Sequence, residues 1–578
     1  MAELHDFAGL AASLERVLAG VVPGAGVIEL SVPPRPELGD LSTNAALVWA
    51  GTAGRKPRDV ADEVGRAWLT DDGAGVCERV EVAGPGFLNL FLSPAWYTGA
   101  VQWMLDRGAD FGRDVLPTGE RRNANIEFVS VNPTGPLHVG HARYAAYGDS
   151  LCRLFAFAGH RVTREFYVND YGTQMAKFGQ SLAARYAQRL GIDFPVPEDG
   201  YRGDYVLEFA DQLRAEVGDR YREAVAAAAP DPDLLPAPVV DFFKLWGRDR
   251  VLELFRATLA RLRVPFDVWK SEATLYEGDL GTSHRGFRGE VGKALAEMDA
   301  EGLLYDSEGA VWLRTTAYGD DKDRVLVRQT GEPTYFLSDI AYHRDKLDRG
   351  FDHMIDIWGA DHHGYVPRMK AAFTALPPHD PERLELIIGQ LVNLLRSGAQ
   401  KRMSKRKGDI VTVDDLIDAI GVDAARFYLV GRSHDSTLDL DLDLAVEESG
   451  KNPVYYVQYA HARICSILRN LERREGAALP RPGCELPQVE VGSEERALIK
   501  TLSRFPLVVL DATRRRSPHR LHAYLGELAA GFHVFYRSCR VITDDVDVGR
   551  FRVALCVAAR TTLATGLGLL GVGAPEAM

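Results

Sequence analysis

Two histidines one helical turn apart are the residues in this chain whose type and spacing most directly suggest chemistry. They end the run Asn132-Pro133-Thr134-Gly135-Pro136-Leu137-His138-Val139-Gly140-His141. Before it, residues 124–129 alternate between apolar and polar side chains, as in a strand. After it, the apolar residues of 144–158 have helical spacing. The run is therefore predicted to be a strand-to-helix turn, where backbone N–H groups and the helix dipole could hold a phosphate. His138 and His141 would face the same way.

A second candidate element lies far along the chain, at residues 401–408. Its sequence, Lys-Arg-Met-Ser-Lys-Arg-Lys-Gly, places five positive charges within eight residues. Such a loop could wrap anionic oxygens, or it could simply be solvated. The histidine pair could likewise bind a metal ion or lie satisfied in a core. Neither motif alone decides between these interpretations.

Together the two motifs resemble the signature pair of class I aminoacyl-tRNA synthetases, a His-x-Gly-His turn and a Lys-Met-Ser-Lys-Ser loop. The core of the loop here is Arg402-Met403-Ser404-Lys405-Arg406, so that Lys405 stands where the second lysine of the family contacts phosphate. The resemblance implies ATP binding and catalysis by His138, Gly140, His141, Arg402, Ser404 and Lys405.

The wider resemblance is to arginyl-tRNA synthetases, and it runs nearly from end to end. It rests on the signature turn with its approach at 128–136, and on residues 164–170, 333–342, 358–365 and 452–463. The implied activity is the ligation of L-arginine to tRNA(Arg) through an arginyl-adenylate, with release of AMP and diphosphate. ATP would be consumed, and Mg²⁺ would accompany it.

Arginine recognition needs a carboxylate that can face the planar guanidinium in a bidentate pair. Tyr335 and Asp339 are spaced i and i+4, so they share one helix face, and they match the positions that read the side chain in the family. Glu127 is a further candidate for a charge partner. The other positions that the resemblance assigns to arginine are Ser130, Asn132, His141 and His362.

Patterning divides the chain into three domains. Residues 1–115 are predicted to form an α+β N-terminal domain, and residues 116–445 a Rossmann-type α/β catalytic core with a parallel sheet and an insertion. Helical periodicity predicts an all-α bundle over residues 446–578, which the resemblance implies is the anticodon-binding domain. In the family the N-terminal domain contacts the tRNA elbow.

Candidate tRNA contacts follow from the same resemblance. Aromatic side chains could stack on splayed anticodon bases, although aromatics at helical spacing also occur in cores. The candidates are Asn44, Tyr456, Phe532, Tyr536 and Met578. The net charge of the chain is −13, yet residues 451–578 contain 18 basic and 12 acidic residues, a local excess of +6. Arg514, Arg515, Arg516 and Arg520 form the densest basic cluster, which could position phosphate or be solvated.

The remaining composition indicates a cytoplasmic enzyme. The sequence has no 18-residue apolar run and no signal-peptide pattern, which predicts neither a membrane segment nor secretion. Its six cysteines show no zinc-ligand spacing, so reduced thiols and no dedicated metal site are expected. The family suggests a monomer.

Two alternative functions stay open at this point. A regulatory tRNA-binding protein would be expected to lose His138, His141 or Lys405, and all three are present. A duplicated paralogue with altered amino-acid or inhibitor specificity would keep them. Departures from the usual family residues at Val131, Ala142 and Ala577 are compatible with such a paralogue.

Overall fold

The fold is that of a computed structural model, which describes residues 4–229, 231–277, 284–396, 399–400, 412–475 and 479–578. The chain forms two compact units. One comprises Met1–Glu120, Arg153–Gly159 and Val446–Met578, and the other Arg121–Cys152 and His160–Ala445. The predicted boundaries of three domains stay a prediction. The division into compact units places the N-terminal and C-terminal segments in the same unit, so it does not test those boundaries.

The N-terminal segment combines helices with a small antiparallel sheet, as predicted. Its strands pair in the order β1-β3-β2. Asp6 begins the first helix by accepting the backbone N–H of Gly9 at 2.8 Å, and Pro57 and Pro94 open two others. The elements are α1 (Phe7–Val21), β1 (Leu41–Thr43), α2 (Ala45–Trp49), α3 (Pro57–Thr70), β2 (Cys77–Ala83), β3 (Phe87–Leu92) and α4 (Pro94–Arg107).

The middle segment alternates strands and helices, as the sequence predicts. Its first half comprises β4 (Asn123–Glu127), α5 (Val139–Ala158), β5 (Arg161–Val168), α6 (Thr173–Arg189), α7 (Asp204–Val217), α8 (Arg222–Ala227), α9 (Ala237–Arg261), β6 (Val268–Ser271) and α10 (Gly289–Ala300). Its second half comprises β7 (Leu304–Ser307), β8 (Ala310–Leu313), β9 (Arg324–Val327), α11 (Tyr335–Asp348), β10 (His353–Gly359), α12 (Val366–Ala375), β11 (Leu384–Gly389), β12 (Val392–Arg396), β13 (Ala399–Gln400), α13 (Val413–Ile420), α14 (Val422–Leu429), β14 (Leu438–Asp441) and α15 (Leu442–Ala445).

A five-stranded parallel sheet organises this segment, in the order β11-β10-β4-β5-β6. The chain leaves β4 toward β5 and β6, and later returns to the other side of β4 as β10 and β11. The strand order therefore reverses between β4 and β10. In open parallel sheets ligands bind at such a switch point, outside the carboxyl ends of the strands. The histidine turn follows β4 and lies at this edge.

A buried ionic network fixes the strands that flank the switch point. The ammonium of Lys346 lies 2.7 Å from Glu127 and 2.8 Å from Asp356, and the guanidinium of Arg349 bonds both oxygens of Glu165. Glu127, a weaker sequence-based candidate for the charge partner of arginine, is instead paired inside the protein with Lys346. Removing one member would leave an uncompensated buried charge, which is strongly destabilising.

The C-terminal segment is helical, as predicted, and buries residues such as Leu498, Phe505, Leu525 and Leu563. Among the described residues, no helix is long and apolar enough to cross a membrane. Its helices are α16 (Pro453–Glu475), α17 (Ser493–Ser503), α18 (Phe505–Arg514), α19 (Pro518–Ser538) and α20 (Val546–Leu569).

Candidate active site

The turn after β4 begins with a strained backbone. Val129 and Ser130 have φ angles of 71° and 36°, in the left-handed region that β-branched residues rarely enter. The Oγ of Ser130 accepts the backbone N–H of Tyr167 at 3.0 Å, and the side-chain amide of Asn132 donates to the carbonyl of Asn169 at 3.0 Å. These bonds hold Ser130 and Asn132, two predicted arginine contacts, against the end of β5.

His138 and His141 cap the helix that follows. The Nδ1 of His138 accepts the backbone N–H of Gly140 at 3.1 Å, and the Nδ1 of His141 accepts the backbone N–H of His138 at 3.1 Å. This reciprocal arrangement is a capping box built from two imidazoles, which satisfies N–H groups that a helix start leaves open. It explains why α5 begins at Val139, five residues before the helical spacing is evident.

The capping bonds also determine what the imidazoles can offer to a ligand. Because each Nδ1 accepts a proton-bearing amide, the ring hydrogen of a neutral imidazole lies on Nε2. Burial lowers the pKa of both histidines, that of His141 to about 4. Both rings are therefore neutral near pH 7 and present Nε2–H donors, which suit the oxygens of a phosphate.

Gly140 leaves space beside these donors. A Cβ added there would meet only the Nδ1 of His138, at 3.4 Å, and the glycine does not have a positive φ. Neither backbone conformation nor packing within the described residues requires glycine at this position. The space beside Gly140 is free for a ligand, and the role of Gly140 in ATP binding stays a prediction.

Arg402, Ser404 and Lys405 lie outside the described residues, and their predicted roles stay predictions. The chain immediately after them is well placed. Thr412 pairs with His138 in an antiparallel bridge, and the backbone N–H of Val413 donates to the carbonyl of Leu137 at 3.0 Å. Thr412 also caps α13. The described chain resumes at Thr412, and its first two residues thus contact the histidine turn.

Asp339 and Tyr335 share the first turns of α11, as predicted. Tyr335 is 56% exposed, and the hydroxyl of Tyr365 donates to Oδ2 of the partly buried Asp339 at 2.6 Å. Burial raises the pKa of Asp339 to about 6. Among the described residues no Arg or Lys pairs with this carboxylate, which can therefore receive a cationic ligand.

Glu272 is a buried carboxylate near Asp339 that could not be recognised from the sequence. It follows β6 at the same sheet edge and is 3% exposed. Burial raises its pKa to about 8, with the hydroxyl of Ser338 opposing the shift and the charge of Asp339 adding to it. The described residues provide no ion pair for it. Its signal in the sequence is weak, since a lone glutamate after a four-residue strand resembles many surface turns.

Tyr167 places an unpaired hydroxyl in the same neighbourhood. Its side chain is 6% exposed and stacks on Tyr342 with ring centroids 4.1 Å apart, and its hydroxyl has no hydrogen-bond partner among the described residues. Burial and the charges of Glu272 and Asp339 raise its pKa. Because buried polar groups are normally satisfied, this hydroxyl indicates a place for a polar ligand or water.

His362 lies in the turn after β10, in the short helix Ala360–Tyr365. It is exposed, and its ring centroid is 5.9 Å from that of Trp358. The structure thus brings this predicted arginine contact to the sheet edge that carries the two carboxylates.

The predicted tRNA contacts meet different outcomes. Asn44 is exposed before α2, and the terminal Met578 is 54% exposed. Tyr456 and Tyr536 are partly exposed, with the ring of His533 4.9 Å from Tyr456. Phe532 is fully buried in the helical core. The prediction that Phe532 stacks on a base is therefore wrong in this fold, because neither face of its ring is accessible.

The basic cluster of the C-terminal segment is compensated by acidic neighbours. Arg514 pairs with Glu120 at 2.9 Å, and both Arg515 and Arg520 pair with Asp511. Three of its four arginines thus have carboxylate partners within the protein, and Arg516 donates to the backbone carbonyls of Thr513 and Arg514, which disfavours phosphate positioning as their main role. No group of three or more metal-binding side chains occurs in the part of the chain that the structure describes.

Comparisons with known families cover most of the chain. Residues 9–92 match the arginyl tRNA synthetase N terminal domain, and residues 111–467 match the catalytic domain of tRNA synthetases class I (R). Residues 457–578 match the DALR anticodon binding domain. The matched ranges follow the order of the segments described above.

Individual relatives agree. An arginine–tRNA ligase of Syntrophotalea carbinolica is 46% identical over 98% of this chain and 97% of that protein. The one from Geobacillus kaustophilus is 45% identical over 95% and 94%. The solved arginyl-tRNA synthetase of Thermus thermophilus shares the fold, with a TM-score of 0.75 at 22% identity, covering 98% of this chain and 99% of that chain. The chain therefore belongs to the arginyl-tRNA synthetase family of class I aminoacyl-tRNA synthetases.

Proposed function

We propose that the protein ligates L-arginine to tRNA(Arg) in two steps, through an arginyl-adenylate. The observation that carries this proposal is a pair of carboxylates, the partly buried Asp339 and the buried Glu272, without a protein cation among the described residues. They lie at the same sheet edge as two imidazole N–H donors. A guanidinium would neutralise the two carboxylates, and a phosphate would accept hydrogen bonds from the two imidazoles.

In the first step the carboxylate of arginine attacks the α-phosphorus of ATP. A carboxylate oxygen forms the new bond to phosphorus, the bond to the bridging oxygen breaks, and diphosphate leaves. Negative charge spreads over the phosphoryl oxygens, so that the reaction needs positioning and donors rather than a protein nucleophile. The Nε2–H groups of His138 and His141 and the cations of Arg402 and Lys405 serve this purpose, with Ser404 as a further donor. Mg²⁺ enters with ATP.

Arginine is held so that this attack is possible. Asp339 and Glu272 face the guanidinium, while Ser130, Asn132 and His141 hold the amino-acid end at the histidine turn. Tyr335 and His362 close the pocket from α11 and the turn after β10. In the second step a terminal ribose hydroxyl of the tRNA attacks the arginyl carbonyl, forming the ester and releasing AMP.

The tRNA is engaged by other parts of the chain. Asn44 on the N-terminal segment, and Tyr456, Tyr536 and Met578 on the C-terminal segment, offer exposed contacts for it. We expect a monomer that acts in the cytoplasm. No observation favours a regulatory protein or a paralogue with another substrate.

An aminoacylation assay tests the function directly. The purified protein is incubated with ATP, total tRNA and each of the twenty amino acids in turn. We expect charging with arginine alone. Charging with another amino acid, or none with arginine, would show the proposal to be wrong.

The acidic pocket predicts a pH dependence of arginine binding. The pKa values of Asp339 and Glu272 are raised to about 6 and about 8 in the free protein, so both are partly protonated below these values. A bound guanidinium favours the ionised forms, and binding must then release protons. We expect arginine affinity to rise by about one to two orders of magnitude from pH 6 to pH 8.5, most of it from the ionisation of Glu272. Calorimetry in buffers of different ionisation enthalpy measures the release, and an affinity that is constant over this range would exclude the effect.

A second prediction concerns tRNA recognition by Tyr456. If the ring stacks on a base, Tyr456→Ala should raise the KM for tRNA about tenfold, whereas Tyr456→Phe should change it little because the π-face remains. Arginine and ATP affinities should stay the same in both variants. Equal KM values for tRNA in the alanine and phenylalanine variants would contradict stacking.

A further inference from the structure

The helical segment between β5 and β6 reaches the histidine turn through one side chain. Tyr205, in the first turn of α7, donates its hydroxyl to the carbonyl of Thr134 at 2.5 Å. Its ring covers Gly135, where an added Cβ would lie 2.9 Å from the tyrosine oxygen and 3.0 Å from Cζ. Gly135 does not have a positive φ, so this close approach is what requires glycine.

Tyr205 is itself held firmly. Helix α7 buries Val206, Phe209 and Leu213, and the ring of Tyr205 packs edge-to-face on Phe209 with centroids 5.8 Å apart. The helix packs on α6, which begins shortly after β5 ends. Burial raises the pKa of the Tyr205 hydroxyl, which therefore stays protonated and remains a donor.

The turn has anchors on both sides of this contact. Before it, Asn132 bonds the carbonyl of Asn169, and after it, Leu137 accepts the N–H of Val413. Thr134 and Gly135 lie between these anchors. Within the described residues, the hydroxyl of Tyr205 makes the one hydrogen bond that this middle part receives from another element.

We propose that Tyr205 is a positioning residue for ATP, through which the helical insertion fixes the backbone leading to the histidine cap. The inference rests on the proposed function, in which His138 and His141 bind phosphate. Without the hydroxyl, Thr134 and Gly135 gain freedom, and the Nε2–H donors after them are less well aligned. Asn132 keeps its own bond to Asn169, so the arginine pocket should be affected much less.

Tyr205→Phe tests this with the loss of one oxygen atom. We expect the KM for ATP to rise about fivefold, which corresponds to the net free energy of one hydrogen bond. The KM for arginine should change by less than about twofold. Tyr201→Phe is the matched control, because Tyr201 lies in the same segment and packs its ring on Phe178. It should leave both constants and the melting temperature unchanged. Equal ATP constants in the two variants would overturn the proposal.

A double-mutant cycle separates positioning from a general loss of structure. Gly135→Ala should raise the KM for ATP strongly when Tyr205 is present, because the methyl group collides with its ring and hydroxyl. In a Tyr205→Ala background, Gly135→Ala should raise the KM for ATP only slightly further. An equal rise in the KM for ATP in both backgrounds would show that the contact between Tyr205 and Gly135 does not affect ATP binding.

ATP affinity is also measured by calorimetry, which does not depend on turnover. If wild type fails to charge arginine, the proposed function fails, whereas the calorimetric comparison of Tyr205→Phe with Tyr201→Phe still decides on Tyr205. If wild type charges arginine and the two variants bind ATP equally, only the present inference fails.

Discussion

Asp339→Asn is expected to weaken arginine binding by about 2–5 kcal/mol, which corresponds to about 30-fold to several thousand-fold in affinity. The carboxylate faces the guanidinium in both the ground state and the transition state. An amide of the same shape removes this charge and leaves Glu272 as the one carboxylate that we propose to face the guanidinium. The affinities for ATP and tRNA should hardly change.

The same substitution should not destabilise the protein. The folded-state pKa of Asp339, about 6, lies above that of an unfolded aspartate. Folding with an ionised Asp339 therefore carries a cost, which develops as the pH rises through about 4 to 6 and is fully present at pH 7.5. Asparagine removes this cost, so the melting temperature at pH 7.5 should hold or rise.

Calorimetry with arginine measures the first effect, and Asp348→Asn on the same helix provides the control. Asp348 pairs with Lys293 and Arg344 at the far end of α11, away from the pocket. Its substitution should leave arginine affinity unchanged. Equal arginine affinity in wild type and the Asp339 variant would assign the guanidinium to another carboxylate, with Glu272 as the first candidate.

Lys405→Ala is expected to lower the turnover number by about 100-fold or more, with little change in arginine affinity. The lysine is proposed to meet phosphate oxygens chiefly as charge develops in the transition state, and such interactions act on turnover rather than on ground-state binding. The bridge between Thr412 and His138 supports this role, because the described chain resumes beside the imidazole donors seven residues after Lys405.

Lys407→Ala is the matched control for this prediction. It removes the same charge two residues further on, outside the core at 402–406 that matches the family. Single-turnover measurement of adenylate formation compares the two variants. If both lose activity equally, a general positive potential is sufficient, and near-normal turnover of Lys405→Ala would remove this residue from the mechanism.

The sequence predicted the parallel-sheet core and the helical C-terminal segment because both follow from local periodicity. The strand before the histidine turn also matches its prediction. The start of α5 was placed too late. Imidazoles are not among the usual capping side chains, so that the cap formed by His138 and His141 gave no recognisable signal.

Residues that depend on contacts distant in sequence could not be found from local patterns. Glu272 reaches the site because β6, which it follows, pairs with β5. Tyr205 reaches the histidine turn because α7 lies against Thr134. Spacing was also ambiguous for Phe532, since a helical aromatic can face either the core or the solvent. Burial in the three-dimensional packing decides that case.

The imidazole cap also limits how such a protein can change during evolution. His138 and His141 serve the helix start with one ring nitrogen and can serve a phosphate with the other, so that losing either ring harms architecture and chemistry together. A descendant that abandoned catalysis could keep the helix start with other capping groups, for example serine for His138 and glutamate for His141. Replacement by a side chain that cannot cap would instead cost about 1 kcal/mol of stability in addition to the lost donor.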